Sequence, residues 1–318
     1  MASSDASTSA GAASVPRSLA ATSPRYGEKA ITAVLFVAAA LSVVVTTAIV
    51  LSLAVPAVRF FREVSVGEFL TGTVWAPRIG EGSFGVLPVV VGTLMVVAFA
   101  LAVAVPIGLA SAIYLSEYAR PRVRRVVKPL LEILQGIPTV AIGLFAFWFM
   151  KPLAERLLPF LPWRGPFSIG VAGVAVGLMI VPLVASVSED AMRSVPMSLR
   201  EAAHGLGARK LAVTVRVVVP AAVSGIMASI VLAISRAVGE TMIVLIAAGA
   251  GNPNLVFDPT KGAQTMTAYI GGVATGDIPT GTLEYDTIFA VGALLFLMTL
   301  TMNLLAVRMV RRFREVYE

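Results

Sequence analysis

Apolar residues along this chain come in six long blocks, set apart by polar connections that are rich in glycine, proline and charge. A helix needs about 20 mostly apolar residues to cross the hydrocarbon core of a bilayer. Segments 31–54, 87–112, 130–150, 168–187, 221–250 and 288–309 meet that length. They predict an all-α polytopic membrane protein with six transmembrane helices. The third block carries Glu132 and the fifth carries Arg236 and Glu240, so neither is a plain lipid-facing helix. "QGIPT" (135–139) falls inside the third block and "VAVP" (103–106) near the end of the second. Proline is tolerated at such depth only where neighbours or water satisfy the freed carbonyl, which points to a packed bundle.

Composition strengthens this picture. Charged residues make up 14% of the 318 positions and the mean hydropathy is +0.88, whereas a soluble domain carries roughly 25% charge. Residues 1–24 are rich in Ser and Ala and read as a disordered tail. The expected organisation is that tail, then a first helix with its outer loop (25–85), then a core domain (86–318) containing a polar loop at 188–220.

The net charge of +7 invites a nucleic-acid reading, but its distribution argues otherwise. Of the 25 Lys and Arg residues, 17 fall in the N-terminal tail, in loops 113–129 and 188–220, and at the C-terminal end. Only 7 fall in the alternate connections 55–86, 151–167 and 251–287. Positive charge stays on the cytoplasmic side, so both termini are expected there, in a multi-pass protein of the cell membrane. The basic excess is a topology signal, and no nucleic-acid partner is expected.

The stretch "EAAHGLGARKLAVTVRVVVP" (201–220) is too charged to span, and it lies in the loop expected inside. Ser198 followed by Glu201 fits a capping box at a helix start. Leu199, Ala202, Ala203 and Leu206 follow at i, i+3, i+4 and i+7, one apolar face of a short helix. Gly205 and Gly207 supply a stop and a tight turn, and a second amphipathic segment, 209–219, ends at Pro220, which opens the fifth block. A helix of two turns is unstable alone in water, so it must dock, either under its own bundle or on a partner.

The spacing of the whole stretch favours the partner. Glu201-Ala202-Ala203, then Gly207, then Val217-Val218-Val219-Pro220 resembles the signature loop of ABC importer permeases. Further likeness lies in "VVGTLMVVAFALAVAVPIGLASAIYLSEYA" (90–119), "LEILQGIPTVAIG" (131–143) and "ISRAVGETMIVLIAAG" (234–249), which resemble the permease subunits of phosphate importers, the PstC type most of all. Thr139 stands where relatives often carry Ser, and Ile142 where Tyr is common.

The resemblance implies a type I importer bundle with a cytoplasmic coupling helix. Ser198, Glu201, Ala202, Ala203, Gly207 and Pro220 would then belong to a loop docked on an ATPase. It also implies partners: a second permease subunit of PstA type, cytoplasmic ATPase subunits of PstB type and an extracytoplasmic phosphate-binding protein of PstS type. No cofactor is expected in this chain, with ATP and magnesium on the ATPase, and membrane lipid surrounds the bundle.

Arg236 and Glu240 are four residues apart, hence on one face of a helix near mid-membrane. An ionisable group there costs about 2.5–3.5 kcal/mol on insertion scales unless paired or wetted, and such groups mark transport pathways. The planar guanidinium fits an oxyanion bidentately, so Arg236, Glu240 and Thr241 are the pathway candidates, with Glu132 and Thr139 added. A structural ion pair is the alternative for Arg236 and Glu240, and snorkelling or pairing with a loop arginine serves Glu132 equally. The chain has no cysteine and a single histidine, His204, which leaves no zinc site; nor does it hold a phosphate-binding P-loop. ATP hydrolysis is therefore expected of a partner chain. Sulfate or molybdate as cargo, and a self-contained secondary anion transporter, remain the competing readings.

Overall fold

The structure is a computed structural model that describes residues 26–78, 82–276, 278–279 and 281–312. The tail expected at 1–24 lies outside the described residues. The chain divides into two compact units, 1–51 and 52–318. The first unit contributes the opening part of α1 (Tyr26–Glu63). Ile31, Phe36, Leu41 and Val44 are each more than 60% exposed there. A helix that is apolar on every side and buries none of it in protein is built for lipid.

In the second unit the end of α1 is followed by α2 (Val66–Thr71), capped by the Ser65 hydroxyl, and a short antiparallel hairpin, β1 (Trp75–Ala76) with β2 (Ser83–Phe84). Next come α3 (Leu87–Ile113), extended by a π-helical turn to Tyr118, and α4 (Pro121–Leu134). A helical run follows as α5 (Thr139–Phe145), a π turn and α6 (Lys151–Leu157). The central helix α7 (Ile169–Arg193) leads to α8 (Met197–Gly205), then to α9 (Lys210–Val213), a π turn and α10 (Val219–Ala221). Finally α11 (Val223–Val238), α12 (Met242–Ala247), α13 (Met266–Ala274) and α14 (Leu283–Arg312) complete the unit.

Among the described residues, four helices are long and apolar enough to cross a membrane, or up to six spans if each of two bent pairs counts as one. The bends correct two expected boundaries. The third block does not run unbroken through 130–150: α4 and α5 meet at 89°. Pro138 forces the residue before it out of helical geometry, and Gly136 resists a continuous helix. Residues 130–134 thus belong to α4, a basic amphipathic helix, and Glu132 is exposed on it rather than buried in a span. The fifth block opens with a 69° bend at Ala222, so Pro220 lies within the preceding helix instead of starting the span. That block breaks again after Val238, at Gly239-Glu240-Thr241.

α7 is the hub, with 67% of its apolar window buried against 33% for α3 and 11% for α14. Ala100 and Ala104 of α3, Ala172, Ala175 and Val176 of α7 and Ala233 and Ala237 of α11 form the core between them. Small residues let helix backbones approach where lipid removes the usual hydrophobic drive. A methyl added at Gly177 would lie 2.7 Å from the Ala100 carbonyl oxygen and 2.9 Å from Val103 Cβ. Gly177→Ala is therefore expected to cost about 1–3 kcal/mol and to lower the melting temperature of the purified protein in detergent. Gly67→Ala, which meets nothing within 4 Å, serves as the control. Equal melting temperatures would mean that this glycine does not set the α3–α7 spacing.

At its N-terminal end α7 is tied to the 247–261 loop: the N–H groups of Ser168, Ile169 and Gly170 donate to the carbonyls of Ala247, Lys261 and Pro259 at 2.9–3.0 Å. At its C-terminal end it leads into α8. The two ends of the bundle therefore carry different equipment.

Candidate functional site

The break after α11 gathers three of the residues singled out in sequence. Gly239 ends α11 and Thr241 precedes α12, so Glu240 sits past the helix end and does not share a continuous helical face with Arg236. The two still form an ion pair, with Arg236 Nη1 3.2 Å from Glu240 Oε2. Glu240 Oε1 accepts the Ile243 N–H at 3.2 Å, restarting the chain as α12. Its carbonyl accepts from Thr267 Oγ1 of α13 at 2.7 Å. Glu240 is thus a joint for three elements, and its side chain is 2% exposed.

Arg236 is different, with 46% of its side chain exposed. Of its five N–H donors, one is directed at Met179 Sδ, 3.6 Å away on α7, while Nη1 sits beside the Glu240 carboxylate as an ion pair. The site is a half-open guanidinium held by a buried carboxylate, with donor capacity left over. Thr241 is half-buried, and its methyl faces Gly271 of α13. Thr139 begins α5, which packs on α12 where Gly143 approaches Ile243 and Ile246. Glu132 stands apart, lining a cleft beside Arg124, Arg125, Lys128 and Arg193.

The α8 turn departs from its expected design in two ways. Its N-cap is Pro196 and no side chain caps it, so Ser198 and Glu201 do not form a capping box. Proline fixes the extended geometry that starts the helix two residues before the serine. Nor do the four apolar residues share one buried face. Leu199 and Ala203 pack on the cluster of Met192, Val195 and Val213, while Ala202 is exposed and Leu206 is 90% exposed. Gly207, at φ +78°, makes the turn to α9, a conformation that favours glycine.

Two polar anchors at this end had no place in the sequence reading. Arg200 is inward-facing: it donates to the Val195 and Met192 carbonyls at 2.7 and 2.8 Å and to Glu117 at 3.1 Å, pinning α8 to α3 and α7. Glu189, 1% exposed on α7, accepts from Arg124 Nε at 2.7 Å and Lys128 Nζ at 2.8 Å, with Lys128 also bonded to Asp190. Arg124 and Lys128 are four apart on one face of α4, a signal that was present in the sequence but was absorbed into the count of positive charge.

Comparison with known proteins bears on this geometry. Residues 104–315 match the family model of the binding-protein-dependent transport system inner membrane component. The chain is 32% identical over 269 residues to the probable ABC transporter permease protein YqgH of Bacillus subtilis (strain 168), covering 84% of this chain and 85% of that protein. It is 33% identical over 250 residues to the phosphate transport system permease protein PstC of Pasteurella multocida (strain Pm70), covering 73% and 76%. Among solved structures, a chain of a bacterial alginate ABC transporter, crystallised in complex with an alginate pentasaccharide-bound periplasmic protein, matches with a TM-score of 0.61 at 17% identity, covering 93% of this chain and 100% of that one. A chain of the inward-facing MetNI methionine ABC transporter matches at 0.53 and 19% identity, covering 73% and 95%. The fold is thus that of ABC importer permease chains, and the chain belongs to the family of binding-protein-dependent transport system inner membrane components.

Proposed function

We propose that this chain is one of two permease subunits of an ATP-driven inorganic phosphate importer. The observation that carries the reading is the half-open Arg236 guanidinium, held by buried Glu240 at a helix break, in a chain similar to proteins named as phosphate permeases. A phosphate oxyanion crossing a bilayer needs a positive site that binds it and then lets it go. Arginine offers a bidentate fork that stays charged at every working pH, and Glu240 supplies a competing anion to reclaim the guanidinium as the cargo leaves.

The rest of the machine lies in partners: a second permease subunit of PstA type, ATPase subunits of PstB type carrying ATP and magnesium, and a binding protein of PstS type. The bias in Lys and Arg supports a cytoplasmic side for both termini and α8. Ala202 and Leu206 then face outward toward the ATPase, while Arg200, Leu199 and Ala203 hold the turn against this chain's own bundle.

The test is ATP-dependent uptake into proteoliposomes that contain the reconstituted partners, with phosphate and sulfate compared as cargo. Phosphate uptake that requires ATP and the ATPase supports the reading. Uptake of sulfate alone, or uptake without the ATPase, overturns it. In the same system Ala202→Glu and Leu206→Glu are expected to leave the chain in the membrane and to separate hydrolysis from uptake. Ala203→Glu instead places a charge against Met192 and Val195 and lowers stability. Normal coupling in both outward variants would remove the α8 contact from the mechanism.

A further inference from the structure

A second candidate site lies at the opposite end of α7 from α8, where the 247–261 loop, the β1 strand and α13 surround a cleft of about 430 Å³. Its walls include Trp75, Arg78, Gln264 and Tyr269 as polar contributors, with Ala250 and Gly272 beside them. Among the described residues that line it there is no carboxylate. Arg78 is exposed and forms no ion pair among the described residues.

Trp75 forms a fixed wall of the cleft. The residue is 2% exposed, and its indole N–H is the one buried side-chain polar atom without a partner among the described residues. With no accessible surface on that atom, the N–H faces protein and leaves the ring itself as the part of Trp75 that lines the cleft. Its neighbours hold it in place. The Trp75 backbone N–H donates to the Pro253 carbonyl at 2.8 Å, and the ring packs edge-on against Tyr269 at 4.9 Å and Phe69 at 6.1 Å. Tyr269 brings no negative charge either: burial pushes its phenol up to about 12, and its hydroxyl is engaged with Thr287.

The position of α13 connects this cleft to the Arg236 break. Thr267, in its first turn, donates to the Glu240 carbonyl, and Gly271 faces the Thr241 methyl. The next residue, Gly272, lines the cleft. One short helix therefore touches both the cleft lined by Arg78 and the Glu240 that pairs with Arg236.

We infer that the cleft is an entry site for a tetrahedral inorganic oxyanion, with Arg78 supplying the charge and the Gln264 amide supplying neutral N–H donors. The inference rests on the reading of the chain as an oxyanion permease and adds a second station to the pathway, ahead of Arg236. Arginine and neutral N–H donors together suit an anion that arrives partly hydrated, because the charge attracts it while the neutral donors replace water.

The chain has no cysteine, so Ala250→Cys gives a single thiol on the cleft wall. In the assembled transporter, reconstituted without the binding protein, the rate of modification by an impermeant maleimide is measured with inorganic phosphate, sulfate or chloride. Phosphate is expected to slow labelling at least threefold at concentrations where chloride has no effect. Arg78→Gln should remove that protection, Arg78→Lys should keep part of it, and Gln264→Leu should weaken it; co-purification with the partners confirms assembly of each. Equal rates with and without phosphate, or undiminished protection in Arg78→Gln, overturn the proposal. It is likewise overturned if Arg78→Gln weakens association with the binding protein and leaves protection intact, since the cleft is then a protein-docking surface. Uptake by the unsubstituted complex separates this from the parent reading. Sulfate uptake with sulfate protection removes phosphate and keeps the cleft, whereas phosphate uptake without protection removes the cleft alone.

Discussion

Glu189→Ala is expected to destabilise the folded chain by about 3–5 kcal/mol, enough to remove most folded protein from the membrane. The Glu189 carboxylate is 1% exposed and holds Arg124 and Lys128 at 2.7 and 2.8 Å, with Arg193 3.9 Å away. Its removal leaves partly buried cations facing one another without their common anion, and breaking a buried pair from one side costs far more than replacing the whole pair. Melting of the detergent-solubilised protein measures the effect. Combining Glu189→Leu with Arg124→Leu and Lys128→Met keeps the volume and removes all three charges, so it should recover much of the loss. If the triple variant melts as low as Glu189→Ala, the cost arises from packing of α7 and not from orphaned charge. The stakes are mechanical as well, because these contacts are what hold α4, bent by 89° from α5, onto the end of α7.

That cluster shows where sequence reasoning stops. Hydropathy located every apolar block, because burial in lipid imposes one simple demand on composition that any window can register. It missed the bends, since a window as long as a span averages the short polar stretches "QGIPT" and "VGET" into their apolar surroundings, and the break is decided by single residues: Pro138 for one, Gly239 and Glu240 for the other. The pairing of Arg236 with Glu240 was legible from spacing alone, since four residues is one helical turn whether or not the helix frays at its end. The direction of each α8 side chain was not. The pattern Leu199-Ala202-Ala203-Leu206 fits a stripe, but a wide stripe on a nine-residue helix can face two ways. Arg200 settled the rotation by binding the Met192 and Val195 carbonyls. Glu189 and Trp75 lacked any local signature, because their roles depend on partners 61 to 65 residues away for the first and on the hairpin and loop for the second.

Arg236→Gln is expected to reduce phosphate uptake by a factor of about 10 to 100, the worth of one charge-assisted hydrogen bond set at the transport step. Arg236→Lys should fall in between, since an ammonium keeps the charge and loses the planar fork. The structure makes Glu240 the more informative partner. Glu240→Gln keeps a side-chain oxygen for the Ile243 N–H and so keeps the start of α12, but it surrenders the negative charge that reclaims Arg236. If the pair works by alternation, this variant binds anion more tightly and releases it more slowly, so that uptake saturates at lower phosphate and a lower maximum rate. If the pair only pins helices together, Glu240→Gln and Arg236→Gln should each lower stability, and combining them should restore both stability and transport, because neither group is then left unmatched. Uptake and melting must be read on the same preparations, with assembly confirmed by co-purification. A doubly neutral protein that assembles and moves phosphate at the normal rate would remove Arg236 from the pathway, and with it the observation on which the phosphate reading rests.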